Sequence, residues 1–352
     1  MTSRERFRLV YEHKEPDRVP RLESPWGSTV ERWRREGLPE DVSIAEHFGL
    51  DLVHSFGADN SPRYEEKVLE ETEEYVIRTT KWGATLKNWR HAGGVPEFLG
   101  FTVTDRDTWA EAKERIRPDA ARIDWRNLED NYADWRDAGA WITAGGWFGY
   151  DVTASWFIGT ERVLMALVTD PDWCADVFQH LCEVQLALFD LAWDRGYRFD
   201  GLRWPDDLGY RNGLLFSPQI YRDVLKPVHK RACDWAHEKG VKVMLHSCGG
   251  VAELIPDLID AGIDALNPIE TKAGMDLIEI KRLYGGQLVL EGGIDVRVMS
   301  DPVAIEEEIR TKVSAAKQGG GYIFHSDHSV PDSVSLKDYE RIIELVEMYG
   351  KY

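Results

Sequence analysis

From about residue 140 onward the chain alternates short β-rich runs with amphipathic helical stretches, and no other feature restricts its fold as much. "AWITAGGW" (140–147), "DGLRWPDDLG" (200–209), "VKVMLHSCGG" (241–250), "DALNPIE" (264–270), "QLVLEGGID" (287–295) and "GYIFHSDHSVP" (321–331) each lead into a helical pattern. The helix after the second of these has Ser217 as N-cap, Pro218 at its first position and Gly240 beyond its end. Strands separated by helices of this length imply parallel strands joined by crossovers. Upstream, "RVPRLES" (18–24) and "DLVHSF" (51–56) are strand-like, which brings the count to eight βα units. The expected fold is a single α/β domain over residues 1–352, a (β/α)8 TIM barrel, with a doubly wound sheet second. "EEYVIRTTKWGATLKNW" (73–89) breaks the alternation and reads as a β-hairpin turning at Trp82-Gly83. It belongs to an insertion over 73–100 after the second strand, with "HAGGVPEF" (91–98) as a mobile loop.

Such a barrel places its chemistry at the C-terminal ends of the strands. Those ends carry Glu23, His54, Asp206, Asp207, His246, Cys248, Glu270, Glu291, Asp295, His325, Asp327 and His328, while the strand interiors are largely apolar. A barrel serving only as a scaffold has no need of donors at nearly every strand end, so the pattern points to an enzyme. His246 and Cys248 stand two apart on one strand, so both side chains leave the same face. Imidazole with thiolate suits zinc better than magnesium or calcium. A catalytic zinc site needs a third protein ligand, and His325, His328 and Glu270 are all candidates. Asp206 and Asp207 could orient a cation or move a proton, or could merely cap a helix. Trp26, Trp147, Phe148, Trp156 and Trp204 lie near strand ends and could wall a flat pocket, although packing explains any one of them.

The excluded classes follow from charge and missing motifs. A net charge of −19 without a basic cluster disfavours nucleic acid and anionic membranes as partners. No apolar run is long enough to span a bilayer, and the first twenty residues lack a signal-peptide core. Four scattered cysteines fit a reducing compartment, hence a cytoplasmic protein. No dinucleotide fingerprint, P-loop or nucleophile elbow is present.

The run from Ser217 to Lys230, then "HSCGGV", "DLIDAGIDALNPIE", "LEGGID" and "GGGYIFHSDHSVP", resembles the uroporphyrinogen decarboxylase superfamily. The resemblance implies a (β/α)8 barrel and one of two chemistries, cofactor-free decarboxylation or zinc-dependent methyl transfer involving a corrinoid and a thiol. The arginine-rich motif of true uroporphyrinogen decarboxylases is absent, its place being taken by "RLESPWGSTVERW". The resemblance is therefore closer to the methyltransferase branch. It implies zinc held by His246, Cys248 and His328, with Glu270 as fourth ligand and His328 standing where that branch has a second cysteine. Asp206, Asp207 and Glu270 are then the catalytic candidates, and Trp26, Trp147, Trp204, His325 and Asp327 the substrate- or cofactor-binding ones. The implied partners are a small-molecule substrate and a separate corrinoid protein, with a homodimer left open. A decarboxylase or lyase acting on a small acid, and a non-catalytic corrinoid- or porphyrin-binding barrel, are the alternatives.

Overall fold

In the computed structural model, which describes residues 1–91 and 96–352, the core is a seven-stranded parallel sheet curled into a barrel. Strand β1 (Val53–Gly57) is followed by an antiparallel excursion of β2 (Val68–Glu71), β3 (Tyr75–Thr79), β4 (Ala84–Trp89) and β5 (Glu97–Phe101). The chain then returns to the barrel with β6 (Trp141–Gly145) and β7 (Gly201–Pro205). A small ribbon of β8 (Gly209–Tyr210) and β9 (Gly213–Leu214) precedes β10 (Lys242–His246), β11 (Ala265–Ile269), β12 (Val289–Gly292) and β13 (Tyr322–Ile323). The barrel order is β1-β6-β7-β10-β11-β12-β13, so each barrel strand pairs with the next barrel strand in sequence.

The eighth place is filled by Pro20–Leu22 and not by a full strand. Phe324 N–H donates to Pro20 C=O and Leu22 N–H to Phe324 C=O, both at 2.9 Å. On the other side Asp51 N–H donates to Arg21 C=O at 2.8 Å. The segment expected to be a strand over 18–24 thus shrinks to a bridge. Pro20 has no N–H to give a ladder, and Arg21 N–H goes to the Asp51 carboxylate at 2.8 Å instead.

The bottom of the barrel is apolar. Val53, Trp141, Met244, Ala265, Val289 and Ile323 point inward, and Phe7, Val10 and Tyr11 of the helix Ser3–Tyr11 close over them. Phe7 and Tyr11 both stack on Trp141, with ring centroids 5.6 and 5.4 Å away. Two residues further along three of these strands the lumen turns polar at His246, Asn267 and Glu291. A sealed floor beneath a polar upper layer leaves the polar groups of the lumen toward its C-terminal mouth.

The expected hairpin is β3–β4, with Thr79 opposite Thr85 and the turn running through Trp82-Gly83. It is the middle of a four-stranded sheet, because β5 adds to β4 and β2 to β3. Residues 92–95 of the loop expected over 91–98 lie outside the described residues, and Glu97 and Phe98 begin β5. Buried Trp82 pins this sheet to the barrel by packing edge-on against Trp147 and Phe157.

Asp51 ties the closure together. Its side chain is fully buried and accepts from Arg6, from Arg18 Nη1 at 2.8 Å and from Ser3 Oγ at 3.0 Å, besides Arg21 N–H. Removing one partner of a buried pair strands the other charge, at a cost of about 3–5 kcal/mol. Urea unfolding of Asp51→Ala should show a loss of that size. Arg8→Ala, which removes an exposed pair 4.0 Å from Glu12, should stay within about 0.5 kcal/mol of wild type.

Candidate active site at the barrel mouth

His246 is the last residue of β10, and the chain leaves the strand in a tight loop held by its own backbone. Asp206 N–H donates to His246 C=O, Ser247 N–H to Asn267 C=O, and Leu208 N–H to Ser247 Oγ. Gly249 has φ +89°, and a Cβ there would lie 2.3 Å from the Gly209 carbonyl carbon, so only glycine allows this approach to the β8–β9 ribbon. These contacts turn Cys248 back toward His246, with Sγ 3.5 Å from the imidazole Nε2.

The third donor comes from the end of β7. Asp207 Oδ1 accepts from Cys248 N–H at 2.8 Å and lies 3.8 Å from His246 Nε2. Ligand atoms of Asp207, His246 and Cys248 all lie within 4.8 Å of one another, and among the described residues no other three His, Cys, Asp or Glu side chains do so. Burial is the main influence on the other two donors. It lowers the pKa of His246, a shift partly opposed by Asp207, and it raises that of the Cys248 thiol, helped by Asp207 and Glu270. An ion entering here therefore meets a neutral imidazole and displaces a thiol proton.

His328 is not part of this group. Its ring lies 5.8 Å from Trp26, which is itself exposed, and its carbonyl accepts from Ser326 Oγ. Glu270 adjoins the group, but one of its oxygens accepts from Gly249 N–H and the other lies 3.1 Å from Lys272 Nζ. The structure thus brings Asp207 to the His246–Cys248 pair, where the resemblance implied His328 and Glu270.

The two adjacent aspartates part company because neighbouring side chains leave the backbone in different directions. Asp206 is fully buried, away from the mouth, and accepts from His229 Nε2 at 2.8 Å and from Asp151 N–H at 2.7 Å. His229 Nδ1 lies 3.1 Å from the Tyr221 hydroxyl. Gly149, with φ +98°, must lack a side chain, since a Cβ would come within 2.2 Å of Asp206 Oδ2. These contacts hold Asp206 apart from the donor group, bonded to His229 and to the Asp151 backbone.

Asp206 also positions a residue that the sequence reading overlooked. Asp151 lies six residues beyond the end of β6, in "WFGYDV", and so was not counted among the strand-end donors. Its carboxyl takes Ser155 Oγ at 3.0 Å and lies 3.5 Å from Trp147 Nε1. Burial, then the charges of Asp207 and Asp206, push its pKa up to about 7. A signal was available, namely an acidic residue within an otherwise apolar and aromatic run following a barrel strand.

The other expected binding residues divide similarly. Trp147 is half-buried beside Asp151 and packs edge-on against Trp156. Trp204 is fully buried, stacked on Phe148 with centroids 4.7 Å apart, and belongs to the core instead of the cleft wall. His325 is buried, donating through Nδ1 to Ser326 C=O at 2.7 Å, with Nε2 3.7 Å from Glu23. Asp327 accepts the backbone N–H groups of Val296 and Lys272, an anchoring role for the loops on either side.

A parallel barrel floored by aromatics, with donors at its C-terminal mouth, is an enzyme architecture. A family model described as uroporphyrinogen decarboxylase (URO-D) matches residues 152–349, and the chain belongs to this family of enzymes. Curated relatives named uroporphyrinogen decarboxylase include one from Arthrobacter sp. (strain FB24), 27% identical over 50% of this chain and 46% of the relative. Another, from Mannheimia succiniciproducens, is 26% identical over 42% of this chain and 40% of its own length. The chain therefore matches just under half the length of these relatives. Among solved structures, a methyltransferase from Methanosarcina mazei covers 99% of both chains with a TM-score of 0.66 at 16% identity, a likeness of fold. Among the described residues no helix is long and apolar enough to cross a membrane.

Asp151 ties stability to pH. An aspartate titrates at about 3.9 in an unfolded chain, so the folded protein holds this proton up to about 7 while the unfolded chain has released it. Its contribution is full below the unfolded pKa and falls as pH rises through the folded one, at up to about 1.4 kcal/mol per pH unit between them. Asp151→Asn should therefore match wild type near pH 4 and exceed it by on the order of 1–3 kcal/mol at pH 8. Urea unfolding of metal-stripped protein at both pH values checks this. Equal stability of the two proteins at pH 8 contradicts the assigned environment.

Proposed function

We propose that this protein is a zinc-dependent methyltransferase acting on a small methylated substrate. The observation carrying this reading is the convergence of one sulfur, one nitrogen and one oxygen donor, from Cys248, His246 and Asp207, at the barrel mouth. Three mixed protein donors match the composition of a catalytic zinc site, and the sulfur donor argues against magnesium or calcium. A zinc ion held there would supply Lewis acidity toward a thiol or a methylated heteroatom. Asp151, titrating near neutral pH beside this group, holds or releases the proton that a leaving or attacking group requires. Trp147 forms part of the wall next to that carboxyl. The other methyl carrier in this reading is a thiol or a corrinoid on a separate protein.

Charge supports a small substrate over a polycarboxylate macrocycle. Arg18 pairs with Asp51, and Arg21 with Glu347 and Gly49 C=O, so these N-terminal arginines serve the barrel closure. Among the described residues the cations near the donor group include Arg203 and Lys272, and Lys272 is already paired with Glu270. A second reading, decarboxylation of a small acid, draws on the curated relatives and on Asp151. In it, loss of CO2 leaves a carbanion that takes the Asp151 proton, and no metal takes part.

Metal analysis separates the two. Protein purified without chelator should carry about one equivalent of zinc, a content abolished in His246→Ala and Cys248→Ser and reduced in Asp207→Asn. His328→Ala should retain it. A metal-free wild type that releases CO2 from a small acid would reverse the choice.

A further inference from the structure

We propose that Glu291, acting through Asn267, is a positioning residue that sets which nitrogen of His246 is free to bind a ligand. Glu291 lies in the lumen on β12 with no exposed surface. Its Oε1 accepts from Asn267 Nδ2 at 2.7 Å, its Oε2 has no hydrogen-bond partner, and among the described residues no lysine or arginine lies within 4.0 Å of it. A buried carboxylate with a single amide partner is costly, so its presence calls for an explanation.

The explanation is a polarity passed along three side chains. A carboxylate only accepts, so Asn267 must turn its NH2 toward Glu291 and its Oδ1 the other way. That Oδ1 lies 2.5 Å from His246 Nδ1 and 3.5 Å from Arg203 Nη2. The Arg203 contact is compatible with that orientation but too long to hold the amide in it without Glu291. An amide oxygen facing His246 Nδ1 requires the proton to be on that nitrogen. Nε2 is then left as a bare lone pair, 3.5 Å from Cys248 Sγ and 3.8 Å from Asp207 Oδ1. The partner of one ring nitrogen thus decides the role of the other. The orientation stands on geometry alone, and its use as a metal-ligand device rests on the function proposed above.

The test reads the tautomer directly. Histidine-15N-labelled, metal-stripped protein is examined by two-bond 1H–15N correlation at mildly alkaline pH, with His246 assigned by its absence in His246→Gln. Wild type should show the proton on Nδ1. Glu291→Gln, whose amide can present either polarity to Asn267, should shift His246 toward the Nε2–H form or a mixture. Zinc competition titration should show affinity weakened roughly 10- to 100-fold in that variant, with thermal stability held or raised. A wild-type proton on Nε2, or an unchanged tautomer in Glu291→Gln, overturns the inference. The wild-type spectrum decides alone should the variant fail to fold. An Nδ1–H His246 in a wild type that binds no zinc upholds the positioning chain and removes the metal reading.

Discussion

The barrel exists as a closed object because one carboxylate, Asp51, collects four donors from the first twenty-one residues. Seven strands leave two free edges, β1 and β13, and the segment between them contributes only a few ladder hydrogen bonds. Arg6 and Arg18 converge on Asp51 at the start of the β1 unit, while Phe324 is tied to Pro20 and Leu22 from the far side. Fixing that seam also fixes the helix Ser3–Tyr11 against Trp141, which seals the lumen floor. The site lies at the opposite end, so its geometry depends on a charge cluster that has no part in its chemistry.

Most of the framework was legible because strand burial imposes a pattern. The runs ending in His246, Glu270, Asp295 and Asp327 are apolar inside and polar at the tip, as parallel barrel strands must be. The first strand was over-read, since Val19 and Leu22 satisfy a strand pattern while Pro20 cannot satisfy a ladder. His246 and Cys248 were legible as a pair because a spacing of two puts both on one face. Which of Asp206 and Asp207 would join them was not, because that depends on His229, far along the chain, claiming Asp206. Asp151 escaped for a related reason. Its significance comes from the charges of Asp206 and Asp207 and from burial, none of which is local in sequence. Asn267 did leave a trace, as a polar residue at an inward position of an otherwise apolar strand.

The family match covers one part of the barrel mouth and not the other. It begins at residue 152, just beyond Asp151, and takes in β7, β10, β11, β12 and β13. Those strands carry His246, Asn267 and Glu291, and Asp207 follows the end of β7. The closure segment, the four-stranded insertion and Asp151 lie before it. Trp82 of the insertion packs on Trp147, whose indole N–H faces Asp151. The matched part thus holds the donor group, and the residues before it include Trp147 and Asp151 beside that group.

That division bears on what the site can select. A donor group built from Asp207, His246 and Cys248 is held by the strands and by the chain from Glu291 through Asn267, so it has little freedom to adapt to different ligands. Beside it stand the Trp147 indole and the carboxyl of Asp151. A carboxyl poised near neutrality, beside other carboxylates, disfavours an anionic group at that wall and tolerates a neutral or cationic one. In the proposed reading a polycarboxylate is therefore the poorer fit to this wall. The arginines that would offset this are already committed to Asp51 and Glu347 at the seam. In the proposed reading, the barrel's closure therefore bears on the substrate class as well as its mouth.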